Sequence, residues 1–265
     1  MTYPSLQSEI SYERPKVVGI DDKPISVAVD NPLYPRRLQA IMGRKRGKLP
    51  KLDMVGNVGL LAMPSIGISG SRDPSENGLN IARDCAEQAA KEGIVIVSGY
   101  ARGVDIEAHY YSLRAGGKTI IVLPEGMGHF RQSPLADVWE LENILVMSQF
   151  EWSAIWQADR AMKRNDVIIG LSHAVIVVEA GEKGGTLDAG EKVLKKKGAS
   201  SLFVAQYQNM PERADGNGIL LGQGAQQLTM DENGHVDMTK IFEHVKRDDL
   251  HKNAEQDDFF RQQVG

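Results

Sequence analysis

Short apolar runs alternate with longer polar stretches between residues 65 and 206, and this alternation predicts the fold. The runs are SIGIS (65–69), IVIVSG (94–99), KTIIVLP (118–124), NILVMSQ (143–149), AVIVVEA (174–180) and SLFVAQ (201–206). Runs of this length and composition are typical of strands that are buried on both faces, and the polar stretches are long enough for helices. The sequence therefore predicts an α/β fold with a mostly parallel sheet that is covered by helices on both faces.

The polar stretch after the first run has the best-defined helical pattern. Apolar and small residues recur at helical spacing at Leu79, Ala82, Cys85, Ala86 and Ala89. Ser75 or Asn77 can cap the start of this helix, and Gly93 can end it in the left-handed conformation. The pattern places Cys85 on the buried face, where a structural role is expected.

The loops that follow the predicted strands are rich in glycine. They are GSR (70–72), SGYARGVD (98–105), PEGMG (124–128) and EAGEKGGT (179–186). Because the carboxyl ends of parallel strands lie on one edge of the sheet, these loops are expected to meet there. Backbone N–H groups of such loops bind phosphates, so the sequence predicts a phosphate-binding crevice at this edge.

The first of these loops offers two interpretations. A helix that begins near Ser75 would present free N–H groups and its positive dipole end to an anion, and Arg72 would add a charged, forked donor. Alternatively, the loop is an ordinary connection between a strand and a helix, with Arg72 solvated on the surface.

Composition and charge narrow the class of protein. The chain has 265 residues, 42% hydrophobic and 25% charged, which is ordinary for a soluble globular protein. Its net charge of −4 means that a site for a polyanion has to be a local basic patch. The single cysteine cannot form an internal disulfide, which indicates a reducing compartment, and no Cys/His cluster has the spacing of a zinc site. We expect no metal and no other cofactor. The N-terminal segment lacks the pattern of a signal peptide and no apolar run is long enough to span a bilayer, so we expect a cytoplasmic location and no membrane partner.

The chain divides by composition into three segments. Residues 1–55 form an N-terminal extension, residues 56–228 the α/β domain, and residues 229–265 an acidic tail that is expected to be a short helix pair or partly disordered. The middle of the extension is basic, with Arg36, Arg37, Arg44, Lys45, Arg46, Lys48 and Lys51 close together.

Five motifs follow one another along the chain: GSRDPS, SGYARGVDIEAHYYSLRAGG, KRNDVIIGLSHAVIVVEA, GGTLDAGEKVLKKKG and GNGILLGQGA. In this order they resemble the motifs of the DNA-processing protein A family, also called DprA or Smf. The resemblance extends from about Pro35 to Ala225. The resemblance implies an extended Rossmann-like fold, self-association and binding of single-stranded DNA. In many bacteria the family hands this DNA to the recombinase RecA, and the family is not known as an enzyme.

The resemblance also implies a set of site residues. The arginine of the family's GSR turn corresponds to Arg72, and its arginine–asparagine pair corresponds to Arg164 and Asn165. Lys163 and Lys183 correspond to basic residues of its DNA pocket. Together with the loop residues, the predicted DNA- and phosphate-binding set is Gly70, Ser71, Arg72, Ser98, Gly99, Arg102, Gly103, Lys163, Arg164, Asn165, Lys183, Gly184, Gly185 and Thr186.

This sequence departs from the family at two places. Asp166 stands where the family usually has a cation, which would put a carboxylate at the presumed DNA face. The acidic tail is also too short for the winged-helix domain that is common in the family. These departures leave the recombinase and the biological setting open.

Other polar and aromatic residues allow alternatives. Asp105 is expected to cap the next helix and to pair with His109, one turn later on the same face. Trp152 and Trp156 lie four residues apart, and packing of a helix face into the core is preferred over stacking on bases.

An alternative function remains at this point, in which the chain binds or hydrolyses a nucleotide. Glu125 and Glu179 follow predicted strands and could act as acid and base. GEKGGTLDAGE (181–191) is similar to the PGGxGTxxE loop of phosphoribohydrolases, but it lacks the proline and has Ala189 in place of the glutamate. These differences favour a non-enzymatic DNA-binding protein with no assigned catalytic residue.

Overall fold

The six predicted strands are adjacent members of one nine-stranded sheet. The structure is a computed structural model, and it describes residues 24–42, 49–196, 200–207, 209–232 and 235–248. The strands are β1 (Ile25–Val27), β2 (Leu52–Gly56), β3 (Ser65–Ser69), β4 (Val95–Ser98), β5 (Thr119–Leu123), β6 (Ile144–Ser148), β7 (Ala174–Val177), β8 (Ser201–Ala205) and β9 (Gln226–Leu228). The helices are α1 (Arg36–Met42), α2 (Glu76–Lys91), α3 (Val104–Arg114), α4 (Ala158–Leu171), α5 (Gly185–Lys195), α6 (Asp215–Gly222) and α7 (residues 239–248).

The order of the strands creates a switch point at the centre of the sheet. The order is β1-β2-β6-β5-β4-β3-β7-β8-β9, and all neighbours from β6 to β9 are parallel. β2 pairs antiparallel with β6, and β1 pairs antiparallel with β2. Ile66 of β3 lies between Ile96 of β4 and Ala174 of β7, so the chain leaves β3 to one side and later returns on the other. Ligand crevices of open α/β sheets form at such a point, outside the carboxyl ends of the strands.

Helices cover both faces of the sheet, as the sequence predicts. Ile66 and Ile68 pack with α2, α3 and α7 on one face. Val95 and Val97 pack with α1 and α4 on the other face, where α5 and α6 cover β7 and β8. Neighbouring strand residues thus enter opposite cores, which explains why the runs are apolar at nearly every position. The mixed α/β fold with a mostly parallel sheet is confirmed.

Helix α2 matches its predicted start and end. Ser75 is the N-cap, and its hydroxyl accepts a hydrogen bond from the Gly78 N–H at 3.0 Å. Gly93 follows the helix with a φ of 68°, in the left-handed region. Cys85 is fully buried, and this burial raises the pKa of its thiol, which agrees with a structural role.

Parts of the two flanking segments pack against the sheet. β1 and β2 extend it at one edge, and Ile241 and Val245 of α7 enter the core beside α2. From the basic cluster, Arg37 donates to the Ser172 carbonyl at 2.9 Å and pairs with Asp248, whereas residues 44–46 and 48 lie outside the described residues. The predicted segment boundaries at residues 55 and 228 do not coincide with a gap in the packing, and they stay a prediction. No helix in the described ranges is long and apolar enough to cross a membrane.

Candidate functional site

The four glycine-bearing loops meet at the carboxyl edge of the sheet and line a cleft with two compartments. The β5-side compartment has a volume of about 390 Å³ and is lined mainly by the loops after β4 and β5. The β7-side compartment has a volume of about 560 Å³ and is lined by the loops after β3 and β7 and by α4. Arg72, Ala101, Trp156 and Arg164 line both compartments. The predicted meeting of the loops is observed.

Arg72 and Trp156 lie where the two compartments join. The guanidinium carbon of Arg72 lies 5.2 Å from the centroid of the Trp156 ring, which is the distance of a cation–π contact. Arg72 is exposed and has no ion-pair partner among the described residues, so its charge is available to a ligand. The predicted packing of the tryptophans in the core is wrong. Trp152 and Trp156 are 49% and 45% exposed, because they lie in a non-helical segment before α4.

Arg164 forms the floor of the cleft. It is only 5% exposed, and its Nη1 donates to the Val122 carbonyl at 3.2 Å. Its Nε has no hydrogen-bond partner in the described part of the chain. Burial lowers the pKa of Arg164, and the charge of Asp105 opposes this effect. A Cβ atom at Gly99 would lie 1.2 Å from Arg164 Nη1, so the glycine leaves the space in which the guanidinium lies.

The predicted pair of Asp105 and His109 does not form. Asp105 is the second residue of α3, whose N-cap is Gly103, and its carboxylate accepts from the Ala101 N–H at 3.4 Å. His109 instead contacts Thr119 of β5, with 2.5 Å between Nδ1 and Oγ1. Both side chains are buried, and the hydrogen bond of Asp105 joins the start of α3 to the loop after β4.

The start of α2 is occupied by a carboxylate of this chain, which corrects the predicted anion site near Ser75. Glu179 is fully buried and accepts hydrogen bonds from the backbone N–H of Ser75, at 3.0 Å, and from its hydroxyl. A buried carboxylate at this position interacts favourably with the positive end of the helix dipole. Glu179 therefore has a structural role at the start of α2, in contrast to the acid–base role of the alternative function.

The start of α5 remains open. Gly184 is the N-cap, with a φ of 122°, and no side chain in the described ranges forms a capping hydrogen bond there. Gly184, Gly185 and Thr186 line the β7-side compartment together with Lys183, which is exposed and has no ion-pair partner among the described residues. The Thr186 hydroxyl donates to the Gly70 carbonyl at 3.1 Å, so it ties this turn to the GSR loop across the switch point.

The remaining predicted residues differ in how they relate to the cleft. Gly70 and Ser71 line the β7-side compartment, and exposed Arg102 lines the β5-side compartment. Asn165 also lines the β7-side compartment, and its side chain donates to the Gly185 carbonyl at 3.1 Å.

Ser98, Gly103 and Lys163 are not lining residues of either compartment. Ser98 is fully buried and donates to the Ile68 carbonyl, and Gly103 holds the turn before α3 with a φ of 87°. Lys163 is exposed on α4 and pairs with Asp159 at 3.1 Å.

Asp166 does not bring a carboxylate into the cleft. Its side chain pairs with Lys196 at 3.0 Å and lies 3.9 Å from Lys192, so it joins α4 to the far end of α5. It is absent from the lining of both compartments. The departure from the family pattern at this position therefore leaves the charge of the cleft unchanged.

Sequence reasoning missed three residues of the site and one support. Tyr100, with a φ of 61°, lines the β5-side compartment, and Arg213 lines the β7-side compartment and donates to the Asp73 carbonyl at 2.7 Å. The third is Trp156, which the spacing of the tryptophans predicts in the core. Buried Asn217 links the ends of β7 and β8 through hydrogen bonds of 2.8 Å to Ala180, Val178 and Ala205, which explains the asparagine of the GNG motif.

Comparison with known proteins decides the family. Residues 26–238 match the family model of DNA recombination-mediator protein A. The chain belongs to this family. It is 31% identical to DNA processing protein DprA of Bacillus subtilis over 230 residues, which are 85% of this chain and 73% of that protein. It is 33% identical to Protein Smf of Synechocystis over 165 residues, which are 60% of this chain and only 40% of that relative's length.

Solved structures of the DprA family share the fold. The DprA structure of Streptococcus pneumoniae aligns with a TM-score of 0.68 at 29% identity, over 78% of this chain and 71% of that one. The DNA processing protein A structure of Helicobacter pylori aligns with a TM-score of 0.65 at 26% identity, over 86% and 96% of the two chains. That structure is described as showing a unique single-stranded DNA binding mode of the H. pylori protein.

Proposed function

We propose that this DprA-family chain binds single-stranded DNA in the cleft at the carboxyl edge of its sheet. The observation that carries the proposal is the set of exposed cations around the cleft. Arg72, Arg102 and Lys183 line it, and none has an ion-pair partner among the described residues. Because a carboxylate partner would neutralise them in the free protein, their unpaired state favours an anionic ligand.

The backbone around these cations suits phosphates. The open start of α5 offers free N–H groups and its positive dipole end beside Lys183. Arg72 lies between the two compartments and can contact a strand that passes from one to the other. A strand held in this way is bound through its phosphates, so we expect little dependence on sequence from these contacts.

The depth of the cleft favours a single strand over a duplex. Arg164 at the floor is 5% exposed, and Trp156 at the rim presents an exposed ring on which a base can stack. A duplex keeps its bases paired and stacked, so it would offer no free base to stack on this ring. The H. pylori relative, whose structure is described for its single-stranded DNA binding mode, supports the same ligand.

The role that fits this binding is in DNA processing and recombination. Within it, the chain would act as a homo-oligomer that presents the bound strand to a RecA-type recombinase. The proposed activity is binding, and the residues assigned to it here are ligand contacts.

Fluorescence polarisation with one labelled oligonucleotide, used as a single strand and as a duplex, tests the proposal. We expect tighter binding of the single strand and an affinity that falls as salt rises, because each neutralised phosphate releases counterions. Equal affinities for the two forms, or no binding at low salt, would contradict it.

A further inference from the structure

The β5-side compartment has a different lining from the β7-side compartment. Its walls include Tyr100, Leu123, Pro124 and Trp156, which are aromatic or apolar, and it contains one carboxylate, Glu125. Its volume of about 390 Å³ is within the range of small-ligand pockets. Aromatic and apolar walls suit a flat heterocycle such as a nucleobase, whereas the phosphate-binding backbone lies in the other compartment.

Glu125 is the acidic residue in the wall of the β5-side compartment. No hydrogen bond or ion pair joins its carboxylate to a described residue, although it is partly buried. This burial raises the pKa of Glu125, and the charges of His129 and Arg131 act in the opposite direction. A carboxylate beside the path of a polyanion repels the polyanion. Hydrogen bonds that the ligand donates to the carboxylate offset this repulsion.

The bases of a DNA strand differ in the donors that they offer to such a group. On its Watson–Crick edge guanine has two adjacent donors, N1–H and the 2-amino group, which match the two oxygens of an ionised carboxylate. Adenine and cytosine place one donor beside an acceptor nitrogen, and thymine places one N–H between two carbonyls. Bidentate, charge-assisted hydrogen bonds are the strongest of these possibilities.

We propose that the β5-side compartment is a base-recognition pocket in which Glu125 accepts two hydrogen bonds from a guanine of the bound strand. This inference rests on the proposed binding of single-stranded DNA, and it adds a preference for one base to a cleft that otherwise contacts phosphates. Arg72 and Arg102 line the same compartment, so the phosphates that flank the inserted base lie beside cations.

Three labelled strands of one length test the pocket in polarisation titrations at fixed salt. The first contains thymine alone, the second carries isolated guanines spaced too widely for four-stranded structures, and the third has hypoxanthine at those positions. Hypoxanthine keeps N1–H and lacks the 2-amino group. We expect the guanine strand to bind at least about fivefold tighter than the thymine strand, and the hypoxanthine strand to lose most of that gain.

Two matched variants locate the preference. Glu125→Gln keeps the size of the side chain and removes its charge, so we expect the three affinities to become equal while the thymine strand still binds. Glu182→Gln removes the same charge from an exposed position next to Lys183, outside the lining of both compartments, and should keep the guanine preference. Circular dichroism and thermal melting of both variants confirm that they are folded.

The outcomes distinguish a failure of the guanine pocket from a failure of the proposed DNA binding. Equal affinities of the unaltered chain for all three strands would overturn the pocket and leave single-stranded DNA binding standing. A guanine preference that survives Glu125→Gln would overturn the role of Glu125. No binding of any strand would overturn the proposed function itself and the pocket with it.

Discussion

His109 is a buried residue that links the stability of the fold to pH. Thr119 donates its hydroxyl proton to the Ile96 carbonyl at 2.9 Å, so it accepts from His109 Nδ1, which therefore carries the proton of the neutral ring. His109 Nε2 is buried without a hydrogen-bond partner in the described part of the chain. Burial lowers the pKa of His109 to about 3, and the charge of Arg164 acts in the same direction.

We expect His109 to make the protein less stable in acid. Its pKa is about 3 in the folded state and about 6.5 when exposed, so between these values the unfolded chain binds a proton that the folded chain does not. Its contribution is constant above about pH 6.5 and falls below it, by up to about 1.4 kcal/mol per pH unit. His109→Asn keeps a donor for Thr119 and removes this titration.

Urea unfolding of the two proteins between pH 7.5 and 4.5 measures the effect. The difference in their free energies of unfolding should be flat above pH 7 and should shift in favour of the variant as pH falls. A difference that stays constant over the whole range would contradict the assignment of a buried neutral histidine.

The sequence predicts which loops meet at the cleft better than it predicts the partners of individual side chains. The spacing of Asp105 and His109 on one helix predicts a pair, yet the closer partner of His109 comes from β5, ten positions along the chain. Likewise, Glu179 reaches Ser75 over 104 positions and occupies the start of α2. Contacts across the sheet depend on the strand order, which helical spacing does not contain.

At the scale of elements, two of the three glycines of α6 have opposite roles. A Cβ atom at Gly216 would lie 2.4 Å from the backbone carbonyl oxygen of Gly181, so this glycine allows α6 to approach the loop after β7. Gly218 is exposed, has nothing within 4 Å of such an atom and has no positive φ. The first glycine is required by packing, and the second only increases the flexibility of the unfolded chain.

The substitution Gly218→Ala should therefore stabilise the protein by about 0.5–1 kcal/mol, because alanine has the higher helix propensity. Gly216→Ala makes the same chemical change two residues earlier and should destabilise it by about 1–3 kcal/mol, because the contact is with backbone. Thermal and urea unfolding of both variants measure the two shifts. Equal effects of the two substitutions would show that the packing of α6 differs from that described.

The strands that the sequence predicts are those with buried, continuous apolar runs. β3 to β8 belong to this class, and Glu76–Lys91 follows its predicted caps. β1 and β9 each have three residues at the edges of the sheet and include exposed positions, so they lack the apolar run that marks a strand. Their pairing is decided by the neighbouring strand.

At the scale of the whole molecule, the family resemblance predicts self-association. Multi-angle light scattering at micromolar concentration should give the mass of two or more chains of 29.1 kDa each. A mass of 29.1 kDa across the micromolar range would contradict this prediction, and it would leave the cleft of one chain as the complete DNA site.

The proposed DNA binding depends on the exposed cations of the cleft, and Arg72 is the most central of them because it lines both compartments. Arg114 provides a matched control. It is also exposed and lies over an aromatic ring, 5.6 Å from the centroid of Tyr111, but it is the last residue of α3 and does not line the cleft.

The most direct test is the salt dependence of single-stranded DNA binding by Arg72→Ala and Arg114→Ala. We predict that Arg72→Ala weakens binding by about 1–3 kcal/mol and reduces the slope of affinity against salt by about one phosphate contact, with little change in melting temperature. Arg114→Ala should bind as the unaltered chain does. If Arg72→Ala melts normally and keeps both the affinity and the salt slope of the unaltered chain, the cleft is not the DNA-binding site.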